Sequence, residues 1–324
     1  MSTFASVRRQ QVIGEHFYRE LLAYRVPLIG KMRRRLPKGD VDDEHRALLW
    51  QSIAEDEFEL LALCYTAGEP IEPLREQLSK VIAAHEKWRD AKSIVEADPD
   101  EPALYFAEIA QYERCVQLIG LCYLLHRRDL LPRIAALQDA TYSGTDTLYE
   151  DLLAWELEGR HDVDAWYHDK PYRDLINSMY RDSDGERIAD IKTYCKAWYP
   201  AMSAAPWHDS HLRVTDTDGD FFGYWAFEAG AVAYLLDLDD SSIDHMVYPK
   251  DLVRFAREFD ASNKKQSELS VDRVRAHAGE PCPREGYWFT PASLNSLRRF
   301  AFGEVMPEIA GDYGATIWQW DEQQ

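Results

Sequence analysis

Glu44-His-Arg-Ala-Leu-Leu-Trp-Gln-Ser-Ile-Ala-Glu-Asp-Glu-Phe-Glu-Leu-Leu-Ala-Leu-Cys-Tyr-Thr-Ala67 carries apolar residues at Leu48, Leu49, Ile53, Phe58, Leu61, Ala62 and Tyr65, and Gly68 follows it. Recurrence every three or four residues is the period of an α-helix with one buried face, and the glycine supplies a stop. The same period continues outward. Pro73–Val95 repeats it at Leu74, Leu78, Val81, Ile82, Trp88 and Ile94. Ala103–His126 repeats it after the helix-entry stretch Asp98-Pro-Asp-Glu-Pro102. Further helices are expected over Leu130–Ala140, Thr145–Leu157, Tyr172–Tyr180 and Gly185–Tyr199. Phe221–Leu236 is apolar on all sides and is expected to be a buried helix. Another helix is expected from Pro249 to about Phe259, and a shorter exposed one within Ser262–Glu280.

Amphipathic helices joined by short polar connections read as antiparallel helical hairpins. Long alternating Val/Ile/Thr runs are absent, and Gly314-Ala-Thr-Ile-Trp-Gln-Trp320 is the best strand candidate. The expected fold class is all-α: an α-helical bundle with a short, partly irregular C-terminal tail over 281–324. A soft boundary falls at Pro200–Val214. It divides an N-terminal helical region, 1–200, from a C-terminal region, 201–324, expected to form one compact unit.

The chain has 324 residues, 37 Lys+Arg and 57 Asp+Glu, for a formal charge of -20. It is 46% hydrophobic and 12% aromatic, which is ample for a core and excludes a disordered chain. There is no apolar run long enough for a membrane span and no apolar block near the N-terminus that would read as a secretion signal. The five cysteines, Cys64, Cys115, Cys122, Cys195 and Cys282, form no CxxC pair and read as reduced thiols in the cytoplasm. A strongly acidic balance argues against nucleic-acid binding and favours a basic partner.

The charge is uneven. Residues 1–38 hold nine Lys+Arg and two acids; the Lys31–Lys38 block is expected to neutralise part of the acid surface within the molecule or in an oligomer, with nucleic-acid contact as the alternative. Val214–Pro249 holds eight acids and no Lys or Arg: Asp216, Asp218, Asp220, Glu228, Asp237, Asp239, Asp240 and Asp244. Asp146–Asp169 holds eight acids and only Arg160. Two such runs point to an acidic face that steers a cationic partner.

Catalytic signatures are missing. His85-Glu86-Lys-Trp-Arg89 breaks the HExxH pattern, and there is no GxSxG, P-loop or GxGxxG. Glu158-Gly-Arg-His161 has the spacing of one di-iron motif without a second copy. Asp216-Thr-Asp-Gly-Asp220 departs from a calcium loop at its sixth and twelfth positions. His208 and His211 lack a third ligand. No metal or cofactor is expected. Glu228 sits inside the apolar helix and needs a partner. It is expected to be a structural anchor together with Trp225 and Trp288. If the chain were an enzyme, Glu228 or Cys282 would be the reactive group, in a deep pocket shared with a histidine.

Gly223-Tyr-Trp-Ala-Phe-Glu-Ala229, Leu236-Asp-Leu-Asp-Asp-Ser241 and Tyr248-Pro-Lys-Asp-Leu252 resemble the C-terminal region of the PoNi family of immunity proteins. Trp198-Tyr199 and Trp207-His-Asp-Ser-His211 fit the same pattern. The tail stretches Cys282-Pro-Arg-Glu-Gly-Tyr-Trp-Phe-Thr-Pro-Ala292, Gly303-Glu-Val-Met-Pro307 and Thr316-Ile-Trp-Gln-Trp-Asp321 resemble immunity proteins encoded beside Rhs-type or PAAR-linked toxins. The resemblance implies a non-enzymatic, all-α protein. Its partner would be one cognate toxin, a nuclease delivered by type VI secretion, with neither nucleic acid nor membrane as partner. A homodimer is compatible with the 40 aromatic residues. The residues expected to bind the toxin are Asp216, Asp218, Asp220, Asp237, Asp239, Asp240 and Asp244, with the run Asp146–Asp169 as the alternative surface. A helical adaptor is the other non-catalytic reading.

Overall fold

The computed structural model describes residues 3–39, 41–271, 275–291, 293, 296–309 and 316–321. Among these the helices are α1 (Phe4–Val7), α2 (Glu15–Arg35), α3 (Asp43–Thr66), α4 (Glu72–Val95), α5 (Ile109–Leu124), α6 (Leu131–Tyr142), α7 (Thr147–Ala154), α8 (Tyr172–Tyr180), α9 (Asp184–Ala201), α10 (Phe227–Leu235) and α11 (Lys250–Val271). The strands are β1 (Arg275–His277), β2 (Gly286–Phe289), β3 (Arg298–Phe300) and β4 (Ile317–Trp320). The protein is mostly helical, as the apolar periodicity requires. Its chain divides into two compact units, Met1–Glu258 and Phe259–Gln324. The boundary expected near residue 200 falls inside the first unit, where Trp198, Met202, Ala205 and Phe221 share one core.

In the first unit α3 packs on α4, α8 on α9, and α10 on α5. Local chemistry starts several of these helices. Asp42 caps α3 by accepting from His45 N at 2.8 Å, and Asp146 caps α7 by accepting from Tyr149 N at 2.9 Å. The basic N-terminal block is largely α2, which the sequence reading treated as charge and not as a helix. Arg25 pairs with Asp56 at 2.8 Å and with Glu59, and Arg33 pairs with Glu57 at 2.9 Å. Part of the basic charge is therefore spent on the acids of α3.

Three helix expectations change. Helix α5 starts at Ile109 and not at Ala103, because Gln138 pairs with both the N–H and the C=O of Leu104, at 3.0 and 2.7 Å. Those backbone groups then need no helical partner. Residues 221–226 have no regular secondary structure, and α10 begins only at Phe227. Gln10 pairs with Tyr224 N and O at 3.0 and 2.7 Å, and Thr66 Oγ1 donates to Phe222 O at 2.7 Å. Helix α11 runs unbroken past Phe259 to Val271, since no Gly or Pro interrupts it; the helix expected within Ser262–Glu280 is its continuation, and Arg275–His277 is strand.

The second unit holds an antiparallel sheet in the order β1-β4-β2-β3, where the sequence reading expected a partly irregular tail. Gly286 pairs with Phe300, Trp288 with Trp320, and Ala276 with Trp318. Trp288, Trp318, Phe300, Cys282, Ala276 and Met306 form its core. β4 falls on the strand candidate Gly314–Trp320, of which Gly314 and Ala315 lie outside the described residues.

Gly223 is the tightest point between the 221–226 segment and α3. Its φ is +111°, and a Cβ there would lie 2.0 Å from Thr66 Oγ1 and 2.5 Å from Trp225 Nε1. Gly223→Ala is expected to destabilise the first unit by roughly 2–4 kcal/mol, from the positive φ and the clash together. A urea titration of both proteins checks this; a loss below about 0.5 kcal/mol rejects the assignment.

Candidate partner-binding surface

The seven aspartates first expected to bind a partner separate into different roles. Asp216, Asp218, Asp220, Asp237, Asp239 and Asp244 are exposed. Asp240 is buried at 8% exposure. It pairs with Arg257 at 2.5 Å and accepts from Tyr248 Oη at 2.8 Å, so its charge is used inside the fold. Asp218 accepts from Gly219 N at 2.9 Å and Asp239 from Ser241 N at 3.0 Å, each closing a turn while its charge faces solvent. Asp220 lies 3.3 Å from Arg213, and Asp244 4.0 Å from Lys250.

The run 146–169 divides in the same way. Asp146 is fully buried and accepts from Tyr112 Oη, Tyr149 N and Tyr167 N at 2.9–3.0 Å. Glu150 is also fully buried and, with Asp139, holds Arg160. The single basic residue of the run is thus neutralised internally. Glu156, Glu158, Asp162, Asp164 and Asp169 remain exposed, and Asp151 is half-buried.

Trp225, Glu228 and Trp288 are interior residues. Trp225 Nε1 donates to Thr66 Oγ1 at 2.8 Å, and its ring meets Tyr65 edge-on at 4.7 Å. Trp288 Nε1 donates to Arg284 O at 2.9 Å in the second unit. Glu228 has no exposed surface and accepts from Tyr194 Oη. Its Oε2 and the Trp198 Nε1 each lack a hydrogen-bond partner. Glu113, also buried, accepts from Trp207 Nε1 at 2.9 Å and Gln117 Nε2 at 2.8 Å. Burial pushes Glu228 up to about 7. Burial, and then the Glu228 charge, push Glu113 up to about 8. Sequence reading identified Glu228 by its apolar helix but missed Glu113, whose neighbours in sequence are polar.

His208 and His211 belong to an aromatic stack. His208 stacks on Tyr199 at 4.4 Å, and His211 Nδ1 lies 2.8 Å from Tyr224 Oη. Trp207 stacks on Trp198 at 5.2 Å. Among the described residues, no group of three or more His, Cys, Asp or Glu is placed to hold a metal ion. Cys282 is buried and its thiol donates to Arg284 O at 3.0 Å.

A cavity of about 440 Å³ opens beside Asp220, between α3, α4, α5 and the segment that holds Trp207 and Phe222. Glu55, Glu59, Glu108 and Asp220 give it acid walls, and Arg114 lies over the Phe58 ring at 3.5 Å. His85 at its floor donates to Val81 O at 2.8 Å, and burial lowers it to about 4, so it is neutral. Arg25 and Arg114 line it together with these acids.

Residues 144–252 match the family model described as PoNe immunity proteins (PoNi), C-terminal. The match contains the motifs between Trp198 and Leu252, extends upstream through α7 and α8, and ends before the tail. A solved structure titled "The Crystal Structure of Protein PA2201 from Pseudomonas aeruginosa" has a similar fold. It aligns with TM-score 0.61 and 20% identity, over 78% of this chain and 92% of that one. No curated protein matches the chain. Over residues 144–252, then, the chain is similar to the C-terminal region of the PoNi immunity proteins.

The buried carboxyls have a consequence for stability. Both have folded values above the ordinary 4.5, so between 4.5 and about 7–8 the folded chain binds more protons than the unfolded one. Each then lowers stability by up to about 1.4 kcal/mol per pH unit as pH rises through that window. His85 works oppositely, adding stability as pH rises from about 4 to 6.5. The net expectation is a melting temperature that falls from pH 6.5 to 8, with a shallower fall in Glu113→Gln. Thermal scans across that range check it, and a wild-type profile that is flat or rising rejects it.

Proposed function

We propose that this chain is an immunity protein, which binds one cognate toxin in the bacterial cytoplasm and neutralises it without catalysis. The observation that carries this reading is the match of residues 144–252 to the PoNi C-terminal model. The charge of -20 supports a basic partner, as a nuclease with a substrate groove for phosphates would be. Delivery of that toxin by type VI secretion or as an Rhs-type effector is part of the same proposal. Exposed acids in both runs raise the association rate, and a few desolvated aromatic or arginine anchors set the dissociation rate. The interior uses of Asp146, Glu150, Glu228 and Asp240 leave the exposed acids of the two runs for this role.

The test is co-expression. The C-terminal domain encoded by the adjacent upstream open reading frame is produced in a naive cell with and without this chain. Rescue of growth, with a complex that survives gel filtration, is the expected result. Toxicity that this chain leaves unchanged rejects the reading. The association rate constant of the complex is expected to fall by about tenfold or more between low and high salt. A rate that does not respond to salt removes the acidic surface from the mechanism.

A further inference from the structure

Three helix C-termini meet at one groove of the first unit. It has a volume of about 480 Å³ and is lined by Asp151, Ala154, Trp155, Met179, Tyr180 and Leu236. Trp155 is the C-cap of α7, Tyr180 the last residue of α8, and Leu236 the C-cap of α10. Each helix end adds partial negative charge from its aligned peptide dipoles. Trp155 is 48% exposed and Tyr180 61%. Large aromatic rings this exposed, with Met179 and Leu236 beside them, form an apolar floor that water covers poorly.

The rim is acidic. Asp151 accepts from Tyr180 Oη at 2.7 Å. Partial burial, Asp151, and the fields of Asp162 and Asp164 all hold the Tyr180 phenol protonated. Asp237 follows Leu236 in the chain. The arginines nearby are already engaged: Arg160 with Asp139 and Glu150, Arg128 with Glu156 at 3.3 Å, and Arg181 with Asp190 at 2.6 Å. Asp162, Asp164 and Asp237 have no ion pair among the described residues. Both acidic runs of the sequence reach this groove, and every residue lining it lies in the matched segment 144–252.

We infer that this groove is the principal seat for the toxin, taking an arginine-bearing knob from its basic surface. An arginine fits each feature. Its guanidinium stacks on Trp155, its methylene stem packs on Met179 and Leu236, and its charge meets the acids and the helix C-termini. The inference rests on the proposed immunity function and moves the main contact from the 216–220 loop to this groove.

Binding of the full-length chain to the toxin domain of the adjacent upstream gene, at physiological salt, tests it. Trp155→Ser is expected to weaken binding by about 30-fold or more, the scale of an interface hot spot. The double variant Asp162→Lys with Asp164→Lys is expected to slow association by about tenfold. Glu76→Gln, at an exposed acid of α4 outside both runs, is expected to bind within about threefold of wild type. All these side chains are exposed, and circular dichroism confirms that each variant folds. If wild type binds and rescues while Trp155→Ser and the double lysine variant bind equally well, the groove is overturned and the immunity reading stands. If wild type neither binds nor rescues, both fall together. A wild-type dimer that Trp155→Ser dissociates, with toxin binding unchanged, assigns the groove to a second copy and overturns the inference.

Discussion

The packing of α10 on α5 is the constraint around which the first unit is arranged. All but the last residue of α10 are buried, so neighbours must cover it on every side. Close approach is possible because α5 offers Gly120, where a Cβ would sit 3.0 Å from Glu228 N. The same closeness buries Glu228 in a setting too poor in donors to keep it ionised cheaply. Tyr194 from α9 satisfies one oxygen, and Glu113 from α5 shares the low-dielectric space with its own donors from Trp207 and Gln117. A helix made apolar so that it can be buried thus carries a titratable centre within it.

Charge in this protein divides by depth. Acids close to helix starts or to the core are used where they stand: Asp42 and Asp146 as caps, Glu150 and Asp139 on Arg160, Asp240 on Arg257. The basic helix α2 is drawn into the same economy through Arg25 and Arg33. Other acids of the two runs remain exposed. A run of acids in sequence is therefore a poor guide to a run of acids on a surface, since the paired members and the free ones alternate along it.

Much of the first unit was legible from periodicity. α8 coincides with Tyr172–Tyr180, and α3 and α4 lie within a residue of their expected spans. Failures occurred where a distant side chain supplied backbone partners: Gln138 at the start of α5, and Gln10 with Thr66 before α10. No local pattern announces a partner 34 to 214 residues away. The sheet escaped notice for a related reason, since its strands of three or four residues pair only through the order β1-β4-β2-β3.

The exposed groove shows the same limit at the level of the site. Trp155, Tyr180 and Leu236 are unremarkable singly, each at the end of an amphipathic helix, and only the packing of α7, α8 and α10 brings their ends together. By itself the sequence determined helical architecture, an acidic surplus and the motifs over 198–252, because periodicity, charge and short-range motifs are properties of neighbours along the chain. Only the tertiary structure decided which acids are spent internally, which carboxyls are held neutral, and where aromatic surface meets unpaired charge. Those depend on burial and on distances between segments far apart in sequence.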